Sequence, residues 1–201
     1  MWVKIVECIC QKRGEKKLYK NKTEEKEALK SSTISDVRFY VRGIIITLTI
    51  TVLVRVKFAF VETPTESMMP TFCPKDIAIC YRQAYRRSEP RRGDIISFEH
   101  CHDGEDKKYL KRVIGVAGDV IFFLNGHVYI NGEKYDESAY IAEDVETNGM
   151  GVFVVPEGCV FVMGDNRENS NDSRYWDKPY VSIENIGSKV ILILPFHKLY
   201  K

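Results

Sequence analysis

VIFFLNGHVYI, residues 120–130, is two short apolar runs rich in β-branched and aromatic residues, joined by Asn125-Gly126. Asn-Gly accepts the positive backbone angles of a two-residue turn, so the stretch predicts a β-hairpin. Comparable runs lie on either side of it: IAICY (77–81), DIISF (94–98), KYLKRVIGVAG (108–118), VFVV (152–155), CVFVM (159–163) and KVILIL (189–194), bounded by Gly, Pro, Asn and Asp. Runs this short with such boundaries are strands rather than helices. The expectation is a mainly β domain of roughly 140 residues, with one barrel or sandwich core and a small appended hairpin region near residues 125–150.

Upstream the pattern changes. GIIITLTITVLV, residues 43–54, is free of charge, and Val37–Val41 before it is apolar apart from Arg38. Arg42, Arg55 and Lys57 can reach toward lipid headgroups while their stems stay in hydrocarbon, which lengthens the segment to a tilted transmembrane helix of roughly 18–20 residues. Its β-branched content also suits a buried strand or core helix. A cleavable signal peptide fits less well, because forty-two residues precede Gly43 and Phe58-Ala59-Phe60 is not an A-x-A-like site. The domains expected are therefore a polar arm at 1–36, an anchor at 37–60 and an extracytoplasmic domain at 61–201.

The net charge of +2 conceals an asymmetry: residues 1–61 carry 13 Lys+Arg against 6 Asp+Glu, and residues 62–201 carry 17 against 22. Eleven of those cations precede Gly43, which places the N-terminus in the cytoplasm and the C-terminal domain outside. The arm interleaves Lys with Glu and lacks a stacking pattern of aromatics, so it reads as solvated chain and not as a nucleic-acid tail.

The turn that follows the anchor, VETPTESMMPTF (61–72), holds Ser67 between Pro64 and Pro70. Each proline fixes its own φ and pushes the residue before it toward extended geometry, so Ser67 sits on a constrained connection suited to a nucleophile. Lys111, with apolar neighbours in YLKRVIGVAGD, loses solvation if it points inward, and its pKa then falls from about 10.4 toward neutrality. A neutral Lys is a base. GDNRENSNDSRYW (164–176) follows the apolar run CVFVM, and so many polar groups at a strand end imply an ordered network that satisfies its own members.

Other constellations carry less. GVAGD (115–119) lacks the Lys-Ser/Thr of a phosphate loop and reads as glycines for a bend or a close approach between strands. Asp165, Asn166, Asn169 and Asp172 are oxygen donors, but their spacing is not that of an EF-hand and Arg167 and Arg174 intrude. His100-Cys101-His102 lies in a charged loop, and His127 and His197 have no catalytic context. Arg82, Arg86, Arg87, Arg91 and Arg92 form a solvated basic loop that can touch anionic headgroups. Cys8, Cys10, Cys73, Cys80, Cys101 and Cys159 lack the paired spacing of a zinc site, and pairing among the last four stays open.

With S-M-M-P-T at 67–71, Y-L-K-R-V-I-G-V-A-G-D at 109–119 and G-D-N-R-E-N-S-N-D-S-R at 164–174 in this order behind one anchor, the chain resembles the bacterial type I signal peptidases, the Ser–Lys membrane proteases, in their single-anchor Gram-positive form. The resemblance implies a β-barrel or sandwich of the kind shared with self-cleaving Ser–Lys repressors, although residues 1–61 show no helix-turn-helix. It implies Ser67 as nucleophile and Lys111 as general base, with Ser170 bonded to the Lys111 amine and Asp172 paired with Arg174 to hold the site. It implies an oxyanion hole from the Ser67 amide and the Thr65 hydroxyl, where many relatives carry Ser, and Glu168 stands where Asp is more usual. Substrate pockets would be formed by Thr63, Pro64, Met68, Phe72, Tyr109 and Leu110. The implied partners are preprotein signal peptides, membrane lipid and the export machinery, with no nucleic acid, cofactor or metal. A non-catalytic, membrane-anchored chaperone or assembly factor on the same fold is the alternative function.

Overall fold

The apolar runs do become strands. In the computed structural model, which describes residues 36–62, 65–102, 104–142, 144–196 and 198, these residues form one α-helix, eleven strands and a short 3-10 helix at Ile183–Asn185. The polar arm before Asp36, with Cys8 and Cys10, lies outside the described residues, as does His197.

Helix α1, Asp36–Lys57, has 22 residues and is long and apolar enough to cross a membrane. Within it Thr47, Thr49 and Thr51 return their hydroxyl protons to carbonyls four residues earlier, at 2.9, 2.8 and 2.8 Å. Those bonds hide the polar atoms of an otherwise apolar surface. The helix stops at Lys57, short of the expected residue 60, because Phe58–Glu62 is already strand β1.

Ten strands follow: β2 (Ile77–Tyr81), β3 (Ile95–His102), β4 (Glu105–Gly115), β5 (Val120–Leu124), β6 (His127–Ile130), β7 (Glu133–Lys134), β8 (Val152–Val154), β9 (Cys159–Met163), β10 (Tyr180–Ser182) and β11 (Ile186–Leu194). Seven form a sheet in the order β1-β2-β11-β3-β4-β9-β10, and four form a second in the order β7-β6-β5-β8. All the strand pairs are antiparallel. The β5–β6 hairpin closes through Asn125 and Gly126 at φ of 51° and 77°, with Leu124 opposite His127. The appended region expected near 125–150 is thus the start of a whole second sheet.

Alternation explains the core. In β9, Val160 and Val162 enter one cluster with Ile96, Phe98, Val113, Trp176 and Val181. Phe161 and Met163 enter another with Ile114, Ile121, Val128, Ile130 and Val155, which joins the two sheets. A strand apolar on both faces is buried on both faces, and each such side chain removed from water contributes about 1.5–3 kcal/mol. Gly115 makes the contact between sheets possible: a Cβ there would stand 2.3 Å from Ile121 Cδ1. Of the two glycines of GVAGD, Gly115 serves this packing and Gly118, at φ 84°, the bend after the strand.

Candidate active site

Lys111 sits in the buried half of β4, opposite Ile96 of β3. It is 3% exposed, and burial pushes its pKa down from 10.5 to about 8; the carboxylates of Asp172 and Asp165 oppose that fall and the Arg174 cation adds to it. The amine Nζ is 2.7 Å from Ser67 Oγ. A buried amine that gives up its proton near neutrality, in hydrogen-bond contact with a hydroxyl, is equipped to take that hydroxyl's proton.

Ser67 opens a turn in which the Met69 amide bonds the Glu66 carbonyl at 3.0 Å and the Phe72 amide bonds the Met68 carbonyl at 2.8 Å. The Met69–Pro70 peptide is cis. The Ser67 carbonyl accepts the Asn166 amide at 3.1 Å, and the Asn166 side chain donates to the Glu66 carbonyl at 3.1 Å. The turn is thereby tied to the segment after β9. Thr65 places its hydroxyl 3.4 Å from Ser67 Oγ.

Gly164 lets these pieces close. A Cβ there would lie 2.2 Å from Ser170 Oγ and 2.4 Å from the Ser67 carbonyl oxygen, so only glycine fits. Ser170 is accordingly brought beside the Ser67 turn, yet its buried hydroxyl makes no hydrogen bond among the described residues. The expected bond to the Lys111 amine is not formed here. Asp172 and Arg174 do pair, fully buried, with Nε on Oδ1 at 2.8 Å and Nη2 on Oδ2 at 2.9 Å, and Asp172 also accepts the Gly164 amide at 3.0 Å.

A groove of about 1210 Å³ runs over the pair, lined by Val61, Thr65, Ser67, Tyr109, Leu110 and Lys111 among others. Met68 and Phe72 do not reach it: they are buried, with Leu110, in a third cluster against Ala59 and Val61. They back the groove wall rather than forming its surface, since large apolar side chains beside β1 are worth more inside the core. Thr63 and Pro64 lie outside the described residues.

A family model described as signal peptidase, peptidase S26, matches residues 37–195. The chain belongs to the signal peptidase family. It is 32% identical over 190 residues to signal peptidase I of Bacillus amyloliquefaciens, covering 90% of this chain and 98% of that one. Against signal peptidase I of Bacillus licheniformis it is 34% identical over 196 residues, covering 89% and 98%. A crystal structure of a signal peptidase I from Enterococcus faecalis V583 aligns with TM-score 0.44 and 27% identity over 52% of this chain and 98% of that chain.

In this signal peptidase family member the site is braced by residues that the reading of the sequence did not single out. Arg112, next to Lys111 and on the other face of β4, grips Asp165 with Nε on Oδ1 at 2.8 Å and Nη2 on Oδ2 at 2.7 Å. Arg167, buried, binds Glu137 through both terminal nitrogens. Arg112 on Asp165 and Arg174 on Asp172 thus engage both carboxylates weighed above as oxygen ligands. Arg112 had one legible signal, a second cation beside Lys111 inside an apolar strand. Glu137 had none, being an unremarkable carboxylate in a polar stretch.

Proposed function

We propose that the chain is a membrane-anchored serine endopeptidase that removes N-terminal signal peptides from exported preproteins through a Ser67–Lys111 dyad. The observation that carries the reading is the 2.7 Å contact between a buried Lys111 amine and the Ser67 hydroxyl. Family membership supports the reaction class.

In this mechanism neutral Lys111 takes the Ser67 proton as Oγ attacks the scissile carbonyl. The developing oxyanion is held by the Ser67 amide and the Thr65 hydroxyl. Collapse expels the new amine of the mature protein, with its proton supplied by Lys111, and leaves an acyl-enzyme. Lys111, steered by Ser170 once Ser67 is acylated, then activates water to release the signal peptide and restore the hydroxyl. Asp172 and Arg174 keep the loop in shape.

The substrate adds as an extended strand beside residues 63–66 and 108–111, using backbone bonds for affinity and shallow pockets for side-chain choice. Tyr109 and Leu110 line the groove at that place, and the resemblance implies pockets there that take small side chains at the first and third positions before the cut. Helix α1 crosses the lipid with the arm at 1–36 in the cytoplasm, so residues 61–201 work on the far side, where exported preproteins emerge from the export machinery.

The test compares wild type, Ser67→Ala and Lys111→Met, purified in detergent, on a preprotein bearing an Ala-x-Ala site, with products read by mass spectrometry. Wild type cuts after the second Ala; neither variant cuts, and both keep the circular dichroism of the wild type. Substantial cleavage by either folded variant overturns the dyad.

A further inference from the structure

Segment 135–149, within the connection from β7 to β8, has no part in the reaction described above, yet side chains from it end on the loop 164–174 after β9, here the catalytic loop. Arg167 of that loop is the largest side chain fully buried among the described residues. Its Nε donates to the Gly164 carbonyl at 3.0 Å, Nη1 donates to Glu137 Oε2 at 2.9 Å and Thr147 Oγ1 at 2.6 Å, and Nη2 donates to Glu137 Oε1. Tyr140 gives its hydroxyl proton to Glu137 Oε1 at 2.9 Å and lays its ring 3.9 Å from the Arg112 guanidinium carbon. Arg174 donates to the Asn148 carbonyl at 3.0 Å.

Three arginines and three carboxylates, Asp165, Asp172 and Glu137, therefore share one largely buried cluster, and two of the three carboxylates come from the catalytic loop itself. Glu137 is the external one. Through Arg167 it fixes the Gly164 carbonyl, and Gly164 is the residue against which both Ser67 and Ser170 are packed. We infer that Glu137 is a positioning residue for the Ser67–Lys111 pair: it locks Arg167 so that Gly164 and Asn166 hold the nucleophile's carbonyl in place. The β7–β8 connection is then a clamp on the catalytic loop, and the inference rests on the dyad reading above.

A buried guanidinium with a bidentate carboxylate has one geometry, whereas an amide in place of that carboxylate leaves a cation short of an acceptor. Displacement of catalytic groups by about 1 Å costs up to about 100-fold in rate. Glu137→Gln is therefore expected to lower kcat about 10–100-fold on the Ala-x-Ala preprotein, with KM held and the pH of the rising limb unmoved, at a temperature where circular dichroism shows it folded. Arg167→Met should do the same, and the double variant should be no slower than the worse single one, since both sever one linkage. If Glu137→Gln does not fold, Thr147→Val, which removes a single bond to Arg167, is expected to lose kcat by a few-fold with KM held. A lowered melting temperature with kcat per folded molecule at the wild-type value overturns the inference, as does a double variant whose losses multiply. Ser67→Ala runs beside them: cleavage by that variant overturns the dyad, while its inactivity together with full activity in Glu137→Gln overturns the clamp alone.

Discussion

Lys111 Nζ stands 2.7 Å from Ser67 Oγ across 44 residues of chain. The amine reaches that point from the buried half of β4, and the hydroxyl from a turn held by Asn166. Burial gives the contact its chemistry, because an exposed lysine at the same distance would remain charged.

That burial sets the pH dependence of cleavage. With the Lys111 pKa pushed down to about 8, kcat/KM is expected to rise with pH, tenfold per unit, and level off above about 8, since below that value the amine carries the proton it must accept. A profile flat from well below to well above pH 8 removes Lys111 as the base.

The same burial has a cost in stability. The folded pKa lies below the ordinary 10.5, so the unfolded chain binds more protons between about 8 and 10.5, and stability rises with pH across that window. Below it Lys111 is charged in both states and the full penalty, about 3 kcal/mol, is present. Lys111→Met lacks this term. It is expected to unfold at higher denaturant than wild type at neutral pH, with the gap narrowing toward pH 10.5.

Gly164→Ala puts a methyl group 2.4 Å from the Ser67 carbonyl oxygen, a backbone atom with no rotamer to escape into. The turn must move, and cleavage is expected to fall by about 100-fold. Adding Ser170→Ala, which relieves only the other clash, should not restore it. Steady-state kinetics of the two variants checks both statements.

Asp172→Asn breaks a buried pair whose partner, Arg174, cannot lose its proton. The expected cost is about 3–5 kcal/mol of unfolding free energy, visible as a shift of the denaturant midpoint. A midpoint within error of wild type would mean that the cation finds another acceptor.

Thr65→Val keeps the shape of the side chain and removes the hydroxyl that lies 3.4 Å from Ser67 Oγ. If that hydroxyl supports the oxyanion, turnover falls by about 10–1000-fold with little change in KM. Thr65→Ser should stay near wild type, and unchanged turnover in Thr65→Val would assign the oxyanion hole to other donors.

Local chemistry was enough for most of the strands. VIFFL, HVYI, CVFVM and IAICY begin and end in the structure where their apolar runs begin and end, because turn residues interrupt a period-2 pattern regardless of what packs against it. Strand β1 escaped notice since Phe58–Glu62 continues the apolar character of the helix before it, and only pairing with β2 makes it a strand. Ser67, Lys111 and the polar run after β9 were legible as chemistry out of place: a serine between prolines, a lysine among apolar residues, a charged cluster at a strand end. The partners of that cluster were not. Which carboxylate meets Arg112, Arg167 or Arg174 depends on how two sheets dock through Gly115 and on where the chain between β7 and β8 returns. Hydrogen bonds of that kind act over about 3 Å, and sequence separation says nothing about distances of that order. Local residue pattern was therefore enough for the mainly β domain, the apolar helix and the side chains proposed to react, whereas the depth of Lys111, the withdrawal of Met68 and Phe72 into the core and the reach of Glu137 to the loop beside Ser67 come from long-range packing that no local pattern encodes.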